Sequence, residues 1–327
     1  MPRLTGRLAR TAAWAAATGA AAWLWRHATA PAAGAWRPGA GDRRHAGPLA
    51  VRVAGDGEPT VLLLHGLAGS GEIFGAGYDA LAARGRVVVP DLLGFGRSMD
   101  HDRLDFGLDA HLEALDQMAE ALGLADGPWI VGGHSMGGLL GLHWAARHPA
   151  RVERVVSWGM PLYRDDLEAT RHIRGMGTMA RLFAMETPLA RGACAWMCEH
   201  RGTAAWVAIA LNPGRPVTVA RHGVLHTWPS YLGGMNGVIL HGGWEEPLRR
   251  LYAAGVPVVL AAGARDRVPV SGRAVELAAR YPMVQVARHP AADHDLPLTD
   301  PAWCVRLLRY RATGRRGSAD HSYHEPS

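Results

Sequence analysis

Seven short runs of Val, Leu, Ile and Ala recur between Leu49 and His289: LAVRVAG (49–55), TVLLLHG (60–66), RVVVPDL (86–92), PWIVGGH (128–134), VERVVSWG (152–159), VPVVLAAG (256–263) and MVQVARH (283–289). Several are apolar at consecutive rather than alternate positions, so both faces of each strand need cover, as in a parallel sheet flanked by helices. Segments of helix length separate them. DAHLEALDQMAEALGL (109–124) sets Leu112, Leu115, Met118, Ala119 and Leu122 against Glu113, Asp116 and Glu120, the apolar stripe of an amphipathic helix. MGGLLGLHWAARHP (136–149) and SGRAVELAARYP (271–282) read as further helices. Strands alternating with helices predict an α/β fold with a mostly parallel, doubly wound sheet. In such sheets functional residues gather at the carboxyl ends of the strands.

One interval breaks the rhythm. Residues 160–247 hold no comparable strand run but many Met, Trp and Pro, which predicts an inserted, mainly helical cap between a core of residues 48–159 and 248–314. The last residues, 315–327, have no apolar face and are expected to be disordered. Residues 1–47 read as a leader, in which Arg3, Arg7 and Arg10 precede an uncharged stretch from Thr11 to Trp25. A helix of that length rises about 22 Å, short of the roughly 30 Å hydrocarbon core of a bilayer. If residues 11–25 act as signal or anchor, the protein is exported or membrane-associated; otherwise it is cytoplasmic.

An apolar fraction of 48% and a charged fraction of 20% exclude a disordered chain. The net charge of +6 comes from arginines scattered among acids, as in RVERVV and YRDD. No basic stripe interleaved with aromatics is present, so nucleic acid is not an expected partner. Cys194, Cys198 and Cys304 cannot all pair with one another, and the C-x3-C spacing of the first two lacks a matching second pair of ligands. Neither a metal nor another cofactor is expected.

The segment GGHSMGG (132–138) follows the apolar run WIVGG and opens a helix. Its G-x-S-x-G pattern is the nucleophile elbow, in which a serine occupies a strained strand-to-helix turn and the glycines let strand and helix approach. A serine hydroxyl needs a base to take its proton. His294, in the loop RHPAADHDLPLTDP after the last strand run, is the candidate, with His289 as a rival too close to the strand end. The imidazole needs an acid to hold its tautomer, and Asp266 in VVLAAGARDRVPV fits, with Asp165 and Asp166 as rivals. Charge developing on a substrate oxygen calls for backbone donors. The N–H groups of Met136, directly after the serine, and of Leu67, in the turn after VLLLHG, are the candidates.

With these motifs in order, the chain from about Leu49 to Gly314 resembles the α/β-hydrolase superfamily. LLLHGLAGS is similar to its oxyanion segment, VVVPDLLGFGRS to the turn after its fourth strand, GHSMGG to the elbow, GARDRVP to the acid loop and ADHDLP to the histidine loop. Asp293 stands before His294 where many relatives have glycine. The resemblance implies a cofactor-free serine hydrolase with Ser135, Asp266 and His294 as triad, acting on a carboxylic ester of an apolar substrate through an acyl-enzyme. It leaves open C–C bond hydrolysis, thioester hydrolysis and perhydrolysis on the same triad, and a non-catalytic ligand receptor. Dehalogenases and epoxide hydrolases of this superfamily use aspartate at the elbow, so Ser135 argues against those activities. In the cap, Trp196, Trp206, Trp228, Tyr231 and the methionines from Met176 to Met197 are the candidate pocket lining. HTWPSY, with Trp228 and Tyr231, is expected at the mouth of the site.

Overall fold

The computed structural model describes residues 17–30, 34–176 and 188–309. Eight strands form one sheet: β1 (Asp42–Ala46), β2 (Leu49–Ala54), β3 (Thr60–Leu64), β4 (Arg86–Pro90), β5 (Trp129–His134), β6 (Val152–Trp158), β7 (Val258–Gly263) and β8 (Val284–His289). Their order is β1-β2-β4-β3-β5-β6-β7-β8. The pairs from β4 through β3 to β8 are parallel, while β2 runs antiparallel to both β1 and β4. The seven apolar runs thus all become strands.

The eighth, β1, falls within residues 1–47, which the sequence assigned to a leader. It pairs with β2 around a two-residue turn in which Gly47 has φ 55°. The segment DRRHA is exposed at all but its last position, so it carries no apolar signature and reads as polar leader. Charged side chains of this kind suit an edge strand, where they discourage pairing with other chains.

Consecutive side chains of β3 enter opposite cores, which explains its unbroken apolar run. Leu62 and Leu64 join one cluster with α2 (Leu108–Ala121) and α3 (Met136–Arg147). Val61 and Leu63 join the other, with Phe74, Tyr78 and the last described helix. Burying a leucine side chain contributes roughly 1.5–3 kcal/mol, so the central strands fix the sheet by their residue types alone. Between β6 and β7 lie α4 (Asp166–Gly175), α5 (Pro188–Glu199), α6 (Arg201–Leu211), α7 (Val217–His222), α8 (Trp228–Leu232) and a π-helical segment (Gly233–Leu240). The expected boundary at 247/248 cuts through α9 (Glu245–Ala253), whose Leu248 and Leu251 are buried against the core. The periodicity of α9 therefore belongs to the sheet layer and not to the cap. On the far side of β7, α10 (Arg273–Arg280) completes the helix layer.

A helix over residues 17–29, α1, falls within the residues expected to form a leader. Among the described residues no helix is long and apolar enough to cross a membrane. Thr11 to Ala16 and the tail 315–327 lie outside the described residues.

Many arginines that give the chain its positive charge are paired. Glu72 is buried between Arg43 at 2.9 Å and Arg97 at 2.8 Å, and buried Arg273 meets Glu168 at 2.8 Å. His111 on α2 is instead buried with both ring nitrogens unpartnered, its ring stacked on Phe95. Burial, followed by the nearby His65, pulls its pKa down from 6.5 to about 3. The fold accepts only the neutral ring, so its contribution to stability is complete above about pH 6.5. It is lost as pH falls from there toward 3, because the unfolded chain takes up the proton first. His111→Phe is expected to flatten the fall in unfolding free energy between pH 6.5 and 4.5 by up to about 1.4 kcal/mol per pH unit, measured by urea denaturation. An unchanged slope would show that His111 is not buried in the neutral form.

Candidate active site

β5 ends at His134, and Ser135 turns the chain into α3 with φ 53° and ψ −119°. A positive φ at a residue with a side chain is strained, and the neighbouring packing has to hold it. Two glycines allow that packing. A Cβ on Gly133 would lie 2.2 Å from the Gly137 carbonyl oxygen, and one on Gly137 would lie 2.3 Å from Leu64 O and 2.5 Å from His65 O. The Ser135 N–H donates to Trp158 O on the neighbouring strand at 2.8 Å, which locks the turn to the sheet. Ser135 remains 8% exposed, at the wall of a cavity of about 230 Å³.

His294, in the loop after β8, lines the same cavity. Its Nδ1 lies 3.1 Å from each carboxylate oxygen of Asp266, whose side chain is 1% exposed. Asp266 follows β7 and is oriented by the Val268 N–H, which donates to its Oδ1 at 2.9 Å. An acceptor at Nδ1 requires the proton there and leaves Nε2 with its lone pair. Gly159, just after β6, has φ 62°, and a Cβ there would lie 2.7 Å from Asp266 Oδ2 and 2.8 Å from His294 Nδ1. The Asp–His pair thus occupies space that only glycine vacates.

The rival residues have other partners. Asp165 caps α4 by accepting the Glu168 N–H at 2.7 Å, and exposed Asp166 faces His241 at 3.2 Å. His289 accepts the Ala292 N–H at Nδ1 and meets Asp300 at Nε2, so it braces the base of its loop.

Met136 is the first residue of α3, where N–H groups have no intrahelical acceptor. Leu67 lies in the turn after β3, and both Leu67 and Ser135 line the cavity. Its neighbour Gly66 comes close enough that an added Cβ would sit 3.1 Å from Ser135 Cβ. Buried His65 shapes this turn: its Nδ1–H donates to Gly66 O and its Nε2 accepts the Leu92 N–H, each at 2.8 Å. Desolvation lowers its pKa and favours this neutral tautomer.

Two residues near the site escaped the sequence reading. His134 is the second residue of the G-x-S-x-G motif, and its Nε2–H donates to the His294 carbonyl at 2.9 Å, with the two rings 4.6 Å apart. Burial, and after it the neighbouring His294, brings its pKa down to about 3. Arg215 of the cap forms a two-pronged pair with Asp295, at 2.9 Å and 2.6 Å, and both line the cavity. Burial opposes ionisation of Asp295, but the Arg215 charge and hydrogen bonds outweigh it and lower the pKa. No local pattern announces either contact.

The cap lining differs from expectation. Trp228 and Tyr231 do not line the cavity. Tyr231 is buried and stacks on Trp228, and its ring lies 5.6 Å from that of His226. Thr227 and Ser230 form the capping box that starts α8. Trp206 is 72% exposed and Trp196 is 42% exposed; Met197 is half-buried and away from the cavity. Met179 and Met185 lie outside the described residues. Of the expected residues Met176 does line the cavity, and the cap otherwise reaches the site through Ile173, Val219, Met235 and Ile239. The glycines of LGGMNG permit this: a Cβ on Gly234 would lie 2.8 Å from Leu67 Cδ1 and 2.9 Å from Met136 Sδ. Glycine at a close approach was therefore the available signal, and aromatic content was a misleading one.

Comparisons with known proteins agree with this architecture. A family model described as "alpha/beta hydrolase fold" matches residues 59–195. The magnesium-chelatase 30 kDa subunit of Rhodobacter capsulatus is 42% identical over 120 residues, 36% of this chain and 41% of that protein. Lipase 3 of Moraxella sp. strain TA144 is 38% identical over 97 residues, 30% of each chain. The matches thus span well under half the length of these curated relatives. Among solved structures, a thermophilic esterase from Thermogutta terrifontis superposes with a TM-score of 0.57 at 24% identity, covering 80% of this chain and 91% of that one; the likeness is one of fold. With its sheet order, elbow and the family model over residues 59–195, the chain has the α/β-hydrolase fold.

Proposed function

We propose that the protein is a serine hydrolase that cleaves carboxylic esters of apolar substrates through an acyl-enzyme. The observation that carries this reading is the strained Ser135 turn facing, in one cavity, a His294 whose Nδ1 is committed to buried Asp266. Esterase and lipase names among the relatives support the same reaction class.

In this mechanism the Ser135 Oγ attacks the ester carbonyl carbon while His294 Nε2 takes its proton. Asp266 accepts the Nδ1–H throughout and stabilises the imidazolium that forms. The carbonyl oxygen gains charge and receives hydrogen bonds from the Leu67 and Met136 N–H groups; losing one such donor typically costs about 3 kcal/mol. His294 then gives its proton to the departing alkoxide. Water attacks the acyl-Ser135 carbonyl with His294 again as base, releasing the acid and restoring the serine.

Apolar side chains dominate the cavity's cap side, with Ile173, Met176, Val219, Met235 and Ile239 along it. This favours a hydrocarbon acyl or alcohol portion, and methionines adapt to its shape.

A fluorophosphonate probe is expected to label the wild type and to leave Ser135→Ala unlabelled; equal labelling of both would overturn the nucleophile. Gly159→Ala is expected to displace the Asp266–His294 pair and lower kcat on p-nitrophenyl butyrate by about 10² or more, with KM little changed. Wild-type kcat in a folded Gly159→Ala protein would show that the pair is not needed in this geometry. Met235→Trp is expected to shift preference toward shorter p-nitrophenyl esters. An unchanged chain-length profile would remove Met235 from the acyl site.

A further inference from the structure

The sequence from Gly202 to Gly214, GTAAWVAIALNPG, carries no charge and supplies nearly all of α6. A surface helix normally turns its apolar stripe inward. On α6 only Ala204 and Ile209 are buried, whereas Trp206 is 72% exposed, Leu211 71% and Val207 44%. Thr203 and Ala210, on the same side at helical spacing, are exposed as well. An apolar face therefore points to solvent.

A second exposed apolar pair, Leu24 and Trp25, lies on α1, which is bonded to the end of α6. The Trp23 Nε1–H donates to Ile209 O at 3.2 Å, and His27 Nδ1 lies 3.0 Å from Pro213 O. These bonds hold α1 beside the end of α6 and leave Leu24 61% and Trp25 69% exposed.

Charge identifies the occupant. Residues 1–41 contain five arginines, Arg3, Arg7, Arg10, Arg26 and Arg37, and no acid. An anionic lipid leaflet offers the countercharge, whereas a second copy of the chain would bring the same unbalanced arginines. Tryptophan beside aliphatic residues and arginine is the composition of a helix lying in a membrane interface. Pro213 is two residues before Arg215, which lines the cavity.

We propose that the exposed apolar residues of α1 and α6 dock into the interface of an anionic lipid bilayer, with Leu24, Trp25, Trp206, Val207 and Leu211 entering the headgroup region. Docking does not depend on the hydrolase reading.

The test is co-sedimentation of the full chain with vesicles of equal phosphatidylglycerol and phosphatidylcholine, and with phosphatidylcholine alone. The wild type is expected to bind the anionic vesicles and to bind neutral ones more weakly. Trp206→Glu/Leu211→Glu and Leu24→Glu/Trp25→Glu should each lower partitioning about tenfold or more. Val275→Glu, at a 64% exposed position of α10, should not. Thermal melts and turnover of soluble p-nitrophenyl acetate report that the variants remain folded. The proposal is overturned if wild type fails to sediment or if the patch variants sediment equally. It is also overturned if, without vesicles, wild type forms a dimer that Trp206→Glu/Leu211→Glu abolishes, which assigns the face to a second copy. Vesicle binding by a chain that no fluorophosphonate labels would leave docking intact and sink only the hydrolase reading.

Discussion

The close approach of α3 to the carboxyl end of β3 governs the site. Gly137 lies against the Leu64 and His65 carbonyls, and Gly133 against Gly137, so the chain can leave β5 and enter α3 within one residue. Ser135 absorbs the cost as a positive φ. Because β5 pairs with β3 on one side and β6 on the other, the strain is held by the most thoroughly buried part of the sheet. Everything catalytic in the proposed reaction is measured from this turn: the Met136 N–H follows it, the Gly66–Leu67 backbone packs beside it, and the His294 loop faces it.

Buried polar groups then tie the separate loops together. His65 joins the turn after β3 to the turn after β4, while His134 joins the elbow to the His294 loop. Each ring is neutral because burial disfavours its charge, which makes it a donor on one nitrogen and an acceptor, or a free lone pair, on the other. Arg215 and Asp295 work differently, as an ion pair between cap and histidine loop whose charges offset each other's desolvation. The same contact places a cap residue one position from His294 and couples the placement of the cap to that of the proposed base.

The cap divides its apolar residues between three duties that composition does not distinguish. Tyr231 fills the cap's interior, Met235 and Ile239 line the cavity, and Trp206 with Leu211 faces outward. All are large and apolar, so residue type does not separate cavity lining from interior, and burial would favour either over the outward face. What separates them is the contact each makes: Tyr231 stacks on Trp228, and the small Gly234 lets its segment approach Leu67 and Met136, both distant in sequence.

The sheet was legible because its information is local. Val61 to Leu64 are apolar at every position, which demands two cores and hence a parallel arrangement, and the glycines around Ser135 state a steric need that any reader of the chain can see. Asp266 and His294 were legible one step further, as polar residues just beyond apolar strands, and the 3.1 Å contact between them follows from neighbouring strands β7 and β8. β1 was not legible, because a charged edge strand looks like solvated leader. Neither was His134 as a brace for His294, 160 positions away, nor Arg215 as a partner of Asp295, 80 positions away. Sequence alone determined which residues must be buried and where the backbone must turn tightly. Only the tertiary structure decided which distant polar groups meet and which of the cap's apolar side chains face substrate, core or solvent, because those choices depend on long-range proximity that residue type does not encode.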